Sequence, residues 1–306
     1  GGAGFIGSEL MPVLLKLGHK VQVIDLLWFG NYLPKEVNVI KKDLFDCTEE
    51  DFKGIDVFIF LAGLSNDPMA EYSPAKNFIS NGALPSYLAY LCKKAGVKRF
   101  IYASSASVYG FTDKECTEED RAISDYPYGI SKLLGEQVSQ FQDENFSVAV
   151  LRQGTVCGVS SRMRFDLIVN TMLKTALTEG RIVVNNPDIW RPVYDIRDCV
   201  ESYVKVLQSN VSGIFNMGAE NLTILQIASA VKETVLQQIG MEILLEIKNV
   251  PDKRNYRVSF GKARKVLGFK AKYTVKDTVI NIIKNRKKIG DMNQDKYYNI
   301  KIFKSL

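Results

Sequence analysis

The chain has 306 residues, 46% of them hydrophobic and 24% charged, enough for one large or two modest domains with a proper core. That composition excludes collagen-like, disordered and membrane-spanning classes, and no apolar run approaches the roughly 18 to 20 residues that cross a bilayer. Forty Lys and Arg against 34 Asp and Glu give a formal net charge of +6, a mild excess that suits an anionic ligand but falls short of a nucleic-acid footprint. The opening residues Gly1-Gly2-Ala3-Gly4 have no secretory pattern and no initiator Met. The five cysteines (Cys47, Cys92, Cys116, Cys157, Cys199) are odd in number and lack a CxxC pair. Neither a metal site nor a disulfide framework is expected, and a reducing, cytoplasmic location is.

Up to about residue 155, apolar β-branched runs alternate with helical patterns. Strands are predicted over 21–25, 37–41, 57–62, 100–104 and 147–152, with helices over 8–17, 74–95 and 128–144. Nearly continuous apolar strands suit a parallel sheet buried on both faces, so the expected fold is α/β, a Rossmann-type doubly wound sheet spanning 1–155. Beyond it the rhythm changes: a helix over 166–178, a strand over 181–185, a Pro-containing link, then helices over 196–208 and 223–239. Residues 156–306 are expected to form mainly a smaller mixed α/β substrate-binding region, with a segment near 190–210 returning to the first domain and a ligand cleft between the two. The basic end of the chain (Lys284, Arg286, Lys287, Lys288, Lys296, Lys301, Lys304) is expected to be a solvated helix end. His19, the only histidine, sits in a turn and is not expected to be catalytic.

Gly1, Gly4 and Gly7 form G-x-x-G-x-x-G at the start of a helical pattern. Glycines let the backbone approach a pyrophosphate, and the N–H groups of the helix start face the anion. The motif gains weight from Asp25 at the next strand end, where a carboxylate accepts from both ribose hydroxyls and repels a 2′-phosphate, favouring NAD. A strand expected before the turn is not in the sequence, so a longer native chain is anticipated.

Tyr128-Gly-Ile-Ser-Lys132 places a phenol and an ammonium on one helix face. The cation, with an oxidised nicotinamide, would lower the phenol pKa toward a usable base. Upstream, Ala103-Ser104-Ser105-Ala106-Ser107-Val108-Tyr109-Gly110 ends a strand in hydroxyls. In isolation, Ser105 as a strand-end cap and Tyr128 as a core aromatic would be the plainer readings.

Taken in order and spacing, GGAGFIG, Asp25, ASSASVYG, YPYGISK, LRQGTVCG and RPVYDIRD resemble the extended short-chain dehydrogenase/reductases of the NAD-dependent epimerase/dehydratase family, which act on nucleotide sugars. The resemblance implies NAD contacts at Gly1, Gly4, Phe5, Ile6, Gly7, Asp25, Asp43, Leu44, Leu61, Ala62, Gly63, Asn81, Ala103, Tyr128 and Lys132. It implies that Tyr128 removes a sugar hydroxyl proton, most often at C4, while hydride leaves the same carbon for NAD. Lys132 would hold the nicotinamide ribose and Ser105 the reacting oxygen. Dehydratases of the family carry acidic residues where Ala106 and Ser107 stand, which argues against 4,6-dehydration. UDP-galactose 4-epimerases carry an Asn where Thr155 stands, and the 158–166 and 251–257 stretches resemble a subgroup with GDP-heptose C4-oxidising enzymes. Thr155 with Arg164, Arg191 and Arg254 would contact the nucleotide-diphosphate sugar, guanidinium forks matching phosphate oxygens, with Arg257 behind them or a surface residue.

The expected activity is a nucleotide-sugar 4-epimerase; a C4 dehydrogenase or 4-ketoreductase would use the same Ser105, Tyr128 and Lys132. A non-catalytic NAD sensor is the alternative of another class, and the phenol and lysine on one face argue against it. Family resemblance implies a homodimer through helices near 84–95 and 131–141.

Overall fold

Apolar runs too short for helices and flanked by glycine or polar turns become the buried strands of a parallel sheet. The computed structural model describes residues 1–250 and 254–306; Pro251, Asp252 and Lys253, part of the 251–257 resemblance, lie outside the described residues. Four strands pair in parallel, in the order Gly213–Met217, Ser147–Gln153, Arg99–Ser105, Val57–Phe60. A second parallel pair joins Gln22–Asp25 to Asn38–Lys41. Gly1 lies where the two pieces meet: its nitrogen donates to Ile24 O at 2.6 Å, and a Cβ on it would collide with the Ala62 backbone. The glycine turn thus sits at the carboxyl ends of strands from both pieces, the place where doubly wound sheets hold ligands.

Two helical layers cover the sheet. On one face, Leu10, Met11 and Leu14 of Gly7–Lys16 pack with Cys199, Val200 and Tyr203 of Ile196–Gln208. On the other, Leu84, Leu88 and Cys92 of Leu84–Lys94 pack on Phe60, Phe100 and Phe146. A separate core joins Ile168–Glu179, Ile224–Ile239 and Val275–Ile289 to the strand Arg181–Asn185, which pairs with Leu244–Lys248. No helix among the described residues is long and apolar enough to cross a membrane.

Two expectations need correction. The Pro-containing link is a strand, Trp190–Asp195, flanked by Glu220–Thr223 and Thr155–Cys157. Pro192 is accommodated because pairing with Thr155–Cys157 begins only at Val193, so the missing N–H breaks no bond on that side. The 128–144 helix is Pro127–Gly135 followed by a 3-10 segment, Glu136–Phe141. The basic residues at the end of the chain are exposed, as expected, while nearby Asn299, Phe303 and Leu306 line the principal cavity.

Candidate active site

A cavity of about 1250 Å³ runs from the glycine turn, across the ends of the central strands, to the second core. The structure brings to it Gly1, Gly4, Phe5, Ile6, Gly7, Asp25, Asp43, Leu44, Leu61, Ala62, Gly63, Ala103, Ser105, Tyr128, Lys132, Thr155, Arg164, Arg191 and Arg254. Asn81 does not line it. It is buried in a π-helical turn, Ile79–Ala83, behind the lining residue Gly63. There its amide accepts from Leu64 N at 3.0 Å and donates to Leu64 O at 2.9 Å and Ser131 Oγ at 3.2 Å. Asn81 therefore braces the cavity wall at Leu64.

At the dinucleotide end, backbone geometry does the work. A Cβ on Gly7 would run into the Gly2 carbonyl, so only glycine lets the helix begin directly against the turn. Asp25 is oriented by Ala3 N on Oδ2 at 3.0 Å and by Leu27 N on Oδ1 at 2.7 Å. Leu27 reaches back through a left-handed backbone, φ 56°, a conformation rare in a branched residue. Asp43 caps the turn at Leu44–Asp46 by accepting from Phe45 N at 3.0 Å. These residues fit NAD: a glycine cradle at a helix start, and an oriented carboxylate one strand away.

At the centre, Lys132 is buried and donates to Ala103 O at 2.9 Å. Burial lowers its pKa to about 8, against an opposing pull from Glu136 one helical turn on. The Tyr128 phenol is pushed up by burial and by the charge of Asp67, and pulled down by its hydrogen bond to Ser105 and by Arg164. Within the chain alone, then, proximity to Lys132 does not lower the phenol as the spacing suggested; burial outweighs it. Ser105 Oγ accepts from Ser107 N at 3.2 Å and Ser107 Oγ at 2.9 Å, which fixes it at the strand end. Under this group lies a buried network: Ser104 Oγ donates to Glu136 at 2.6 Å, Arg152 binds Glu136 at 2.9 and 2.7 Å, and Arg152 donates to Tyr109 Oη at 2.9 Å.

At the far end, Arg191 donates to Trp190 O at 2.8 Å and Arg254 O at 2.6 Å and lies over the Tyr256 ring. Arg254 pairs with Asp67 across the cleft at 2.5 Å. Arg164 is committed to Asp166 through two bonds of 2.7 and 3.0 Å, and to Ser65 Oγ at 3.1 Å, so its charge is neutralised where it sits. Arg257 is absent from the lining and lies over Trp190, 4.8 Å from the ring centre. The sequence reading missed Trp28, Phe29, Ser65, Asp67, Arg162, Gln153, Asn299 and Phe303 as lining residues. Gln153 was within reach, following Arg152 on a recognised strand; Asn299 and Phe303 had no local signal.

The model of the "NAD dependent epimerase/dehydratase family" matches residues 1–218. The chain is 28% identical to the UDP-glucose 4-epimerase of Lactobacillus helveticus over 315 residues, covering 92% of this chain and 93% of that protein. It is also 28% identical to UDP-glucuronic acid decarboxylase 1 of Danio rerio over 284 residues, covering 88% and 67%. In three dimensions it resembles TunA, an NAD-dependent NDP-hexosamine 5,6-dehydratase involved in tunicamycin biosynthesis, with TM-score 0.84, 20% identity and coverage of 96% and 97%. The glycine cradle, the oriented Asp25 and a family match over most of the chain agree: the chain belongs to the NAD-dependent epimerase/dehydratase family.

Proposed function

We propose that the chain is a nucleotide-sugar 4-epimerase that oxidises its substrate at C4. The supporting observation is the Tyr128 phenol, near enough to Ser105 to feel its hydroxyl and one helical turn from buried Lys132, lining a cavity with a dinucleotide cradle at one end and Arg191 and Arg254 at the other. NAD, when bound, supplies the hydride acceptor and a positive charge beside the phenol. Tyr128 takes the sugar hydroxyl proton, and Ser105 hydrogen-bonds the same oxygen. Lys132 Nζ, held by Ala103 O, would hold the ribose of the bound cofactor and stays charged below about pH 8. Arg191, braced by two carbonyls and the Tyr256 ring, and Arg254 receive the sugar nucleotide's diphosphate.

Relatives include an epimerase, a decarboxylase and a dehydratase, so the fold is compatible with several outcomes after C4 oxidation. Ala106 and Ser107 lack the carboxyl groups that dehydration needs as acid and base, which supports epimerisation over 4,6-dehydration. A C4 dehydrogenase or 4-ketoreductase is the second reading and uses the same residues, so product analysis separates them; Thr155 at the cavity wall, in place of the Asn of UDP-galactose 4-epimerases, bears on the choice of sugar nucleotide. Tyr128→Phe should keep NAD affinity and cut turnover by about 100-fold or more; steady-state kinetics beside an NAD titration checks it, and unchanged turnover contradicts the assignment. A homodimer is part of the proposal, supported by Tyr87, Tyr90 and Leu134 exposed on the helices expected to meet. Light scattering tests it, and a monomer at working concentration contradicts it.

A further inference from the structure

Among the described residues, Arg162 and Arg99 are buried guanidiniums without a carboxylate partner; Arg99 is taken up by Ser209 O and Val211 O away from the cavity, whereas Arg162 lines it. Arg162 is 3% exposed, yet no carboxylate pairs with it: one terminal nitrogen donates to Asn299 Oδ1 at 2.5 Å, the other to Met163 O at 3.5 Å, and Nε has no hydrogen-bond partner. A buried guanidinium without a counter-ion is costly, and such groups are kept where an anion completes them. Asp166, the nearest candidate partner in sequence, is taken up by Arg164, Asn66 and Asn299 N.

The surroundings say which anion. Ser160, two residues earlier, donates to Phe5 O of the glycine turn at 2.8 Å, and Ser161 N donates to Glu9 Oε1 in the first turn of the following helix at 2.7 Å. The 158–164 stretch is therefore strapped to the helix start that a diphosphate faces. The guanidinium also stacks on Phe29, 3.6 Å from the ring centre, in the loop that follows Asp25, and Arg162, Phe29, Phe5 and Ile6 all line the cavity. Arg162 thus stands between the glycine turn and the ribose-binding carboxylate, the span that a dinucleotide's diphosphate bridges.

The C-terminal helix Asn299–Lys304 completes the arrangement. Asn299 donates to Ser65 Oγ at 2.9 Å while accepting from Arg162, and Phe303 packs with Trp28, Leu64 and Met69. We propose that Arg162, positioned by Asn299 of the C-terminal segment, is the guanidinium that binds the diphosphate of the dinucleotide cofactor, so that the end of the chain is part of the cofactor site. This rests on the dinucleotide reading of the cavity, not on the identity of the sugar.

The test is a calorimetric titration of cofactor-stripped protein with NAD, ADP-ribose, adenosine and UDP. Arg162→Gln should weaken NAD and ADP-ribose by about tenfold or more, since a charged hydrogen bond to phosphate is lost. Adenosine, which has no diphosphate, and UDP, which belongs at the other end, should keep their affinities. Asn299→Ala should reproduce the pattern more weakly, and Arg162→Lys should recover part of the loss. Unchanged NAD affinity in Arg162→Gln, an equal loss for adenosine, or a loss confined to UDP would each overturn the proposal. If thermal unfolding shows that Arg162→Gln does not fold, Asn299→Ala decides: NAD and ADP-ribose affinities equal to those of the unaltered protein count against the role. If the unaltered protein binds neither NAD nor ADP-ribose, the dinucleotide reading itself fails, an outcome separate from failure to turn over any sugar.

Discussion

Beneath Ser105, Tyr128 and Lys132 the polar groups of the buried network are paired; along the walls of the cavity most are, but two buried atoms are not. The floor runs Ser104, Glu136, Arg152, Tyr109, Asn216, and each charged or hydroxyl group in it meets a partner. The walls leave Arg162 Nε and Asp67 Oδ1 without hydrogen bonds, and both residues line the cavity. Two buried arginines make the contrast: Arg152 is locked to Glu136, whereas Arg162 rests on an amide oxygen and an aromatic ring. A closed network fixes the fold; unmet capacity on a cavity wall is available to a ligand, whereas Asn77 Oδ1, Arg99 Nε and Tyr194 Oη are unmet away from the lining.

The largest break expected on the floor is Glu136→Gln. It leaves Arg152 buried without its counter-charge, and chemical denaturation near neutral pH should report a loss of about 3 to 5 kcal/mol. A loss below about 1 kcal/mol would make the floor no different from a surface pair. On the wall, Arg191→Ala should weaken binding of the preferred nucleoside diphosphate by about tenfold with NAD affinity unchanged, alongside a smaller stability loss of about 1 to 3 kcal/mol from the two carbonyls it leaves unpaired. Equal weakening of NAD would blur the two ends.

Lys132 supplies a pH handle on the floor. Its pKa is about 8 in the folded chain against 10.5 as the ordinary value, so the unfolded chain binds the proton more tightly and stability rises as pH climbs through that window. Lys132→Met removes this dependence. The stability difference between the variant and the unaltered protein should shift by about 2 kcal/mol in favour of the unaltered protein from pH 8 to pH 10.5; parallel curves would contradict the burial account. The smallest effect belongs to Arg257→Ala, outside the cavity and stacked on Trp190: stability should change by less than about 1 kcal/mol and nucleotide affinity not at all.

What the sequence disclosed follows the range of the physics. The glycine turn, Asp25 and the Tyr128–Lys132 spacing are local patterns imposed by backbone sterics and helix periodicity, and they were legible. The π turn that buries Asn81 had no signal in the sequence, where 74–95 reads as one regular helix. Arg164 was legible as a cation but not as a neutralised one, since its pairing with Asp166 depends on a loop conformation with no periodic signal. Trp190–Asp195 was hidden by Pro192, whose penalty vanishes only because of where pairing with Thr155–Cys157 starts. The approach of Asn299 to Arg162 and Ser65 joins residues far apart in the chain, and no local pattern announces such a contact.

The most direct test of the account is to incubate the protein with NAD and a panel of UDP-, GDP- and dTDP-sugars, follow reduced-nicotinamide absorbance, and separate the sugars by chromatography. The account predicts a new C4 epimer of one sugar with no accumulated reduced cofactor, abolished by Tyr128→Phe. A protein that binds NAD yet leaves every sugar unaltered, or an epimer formed equally well by Tyr128→Phe, would contradict it.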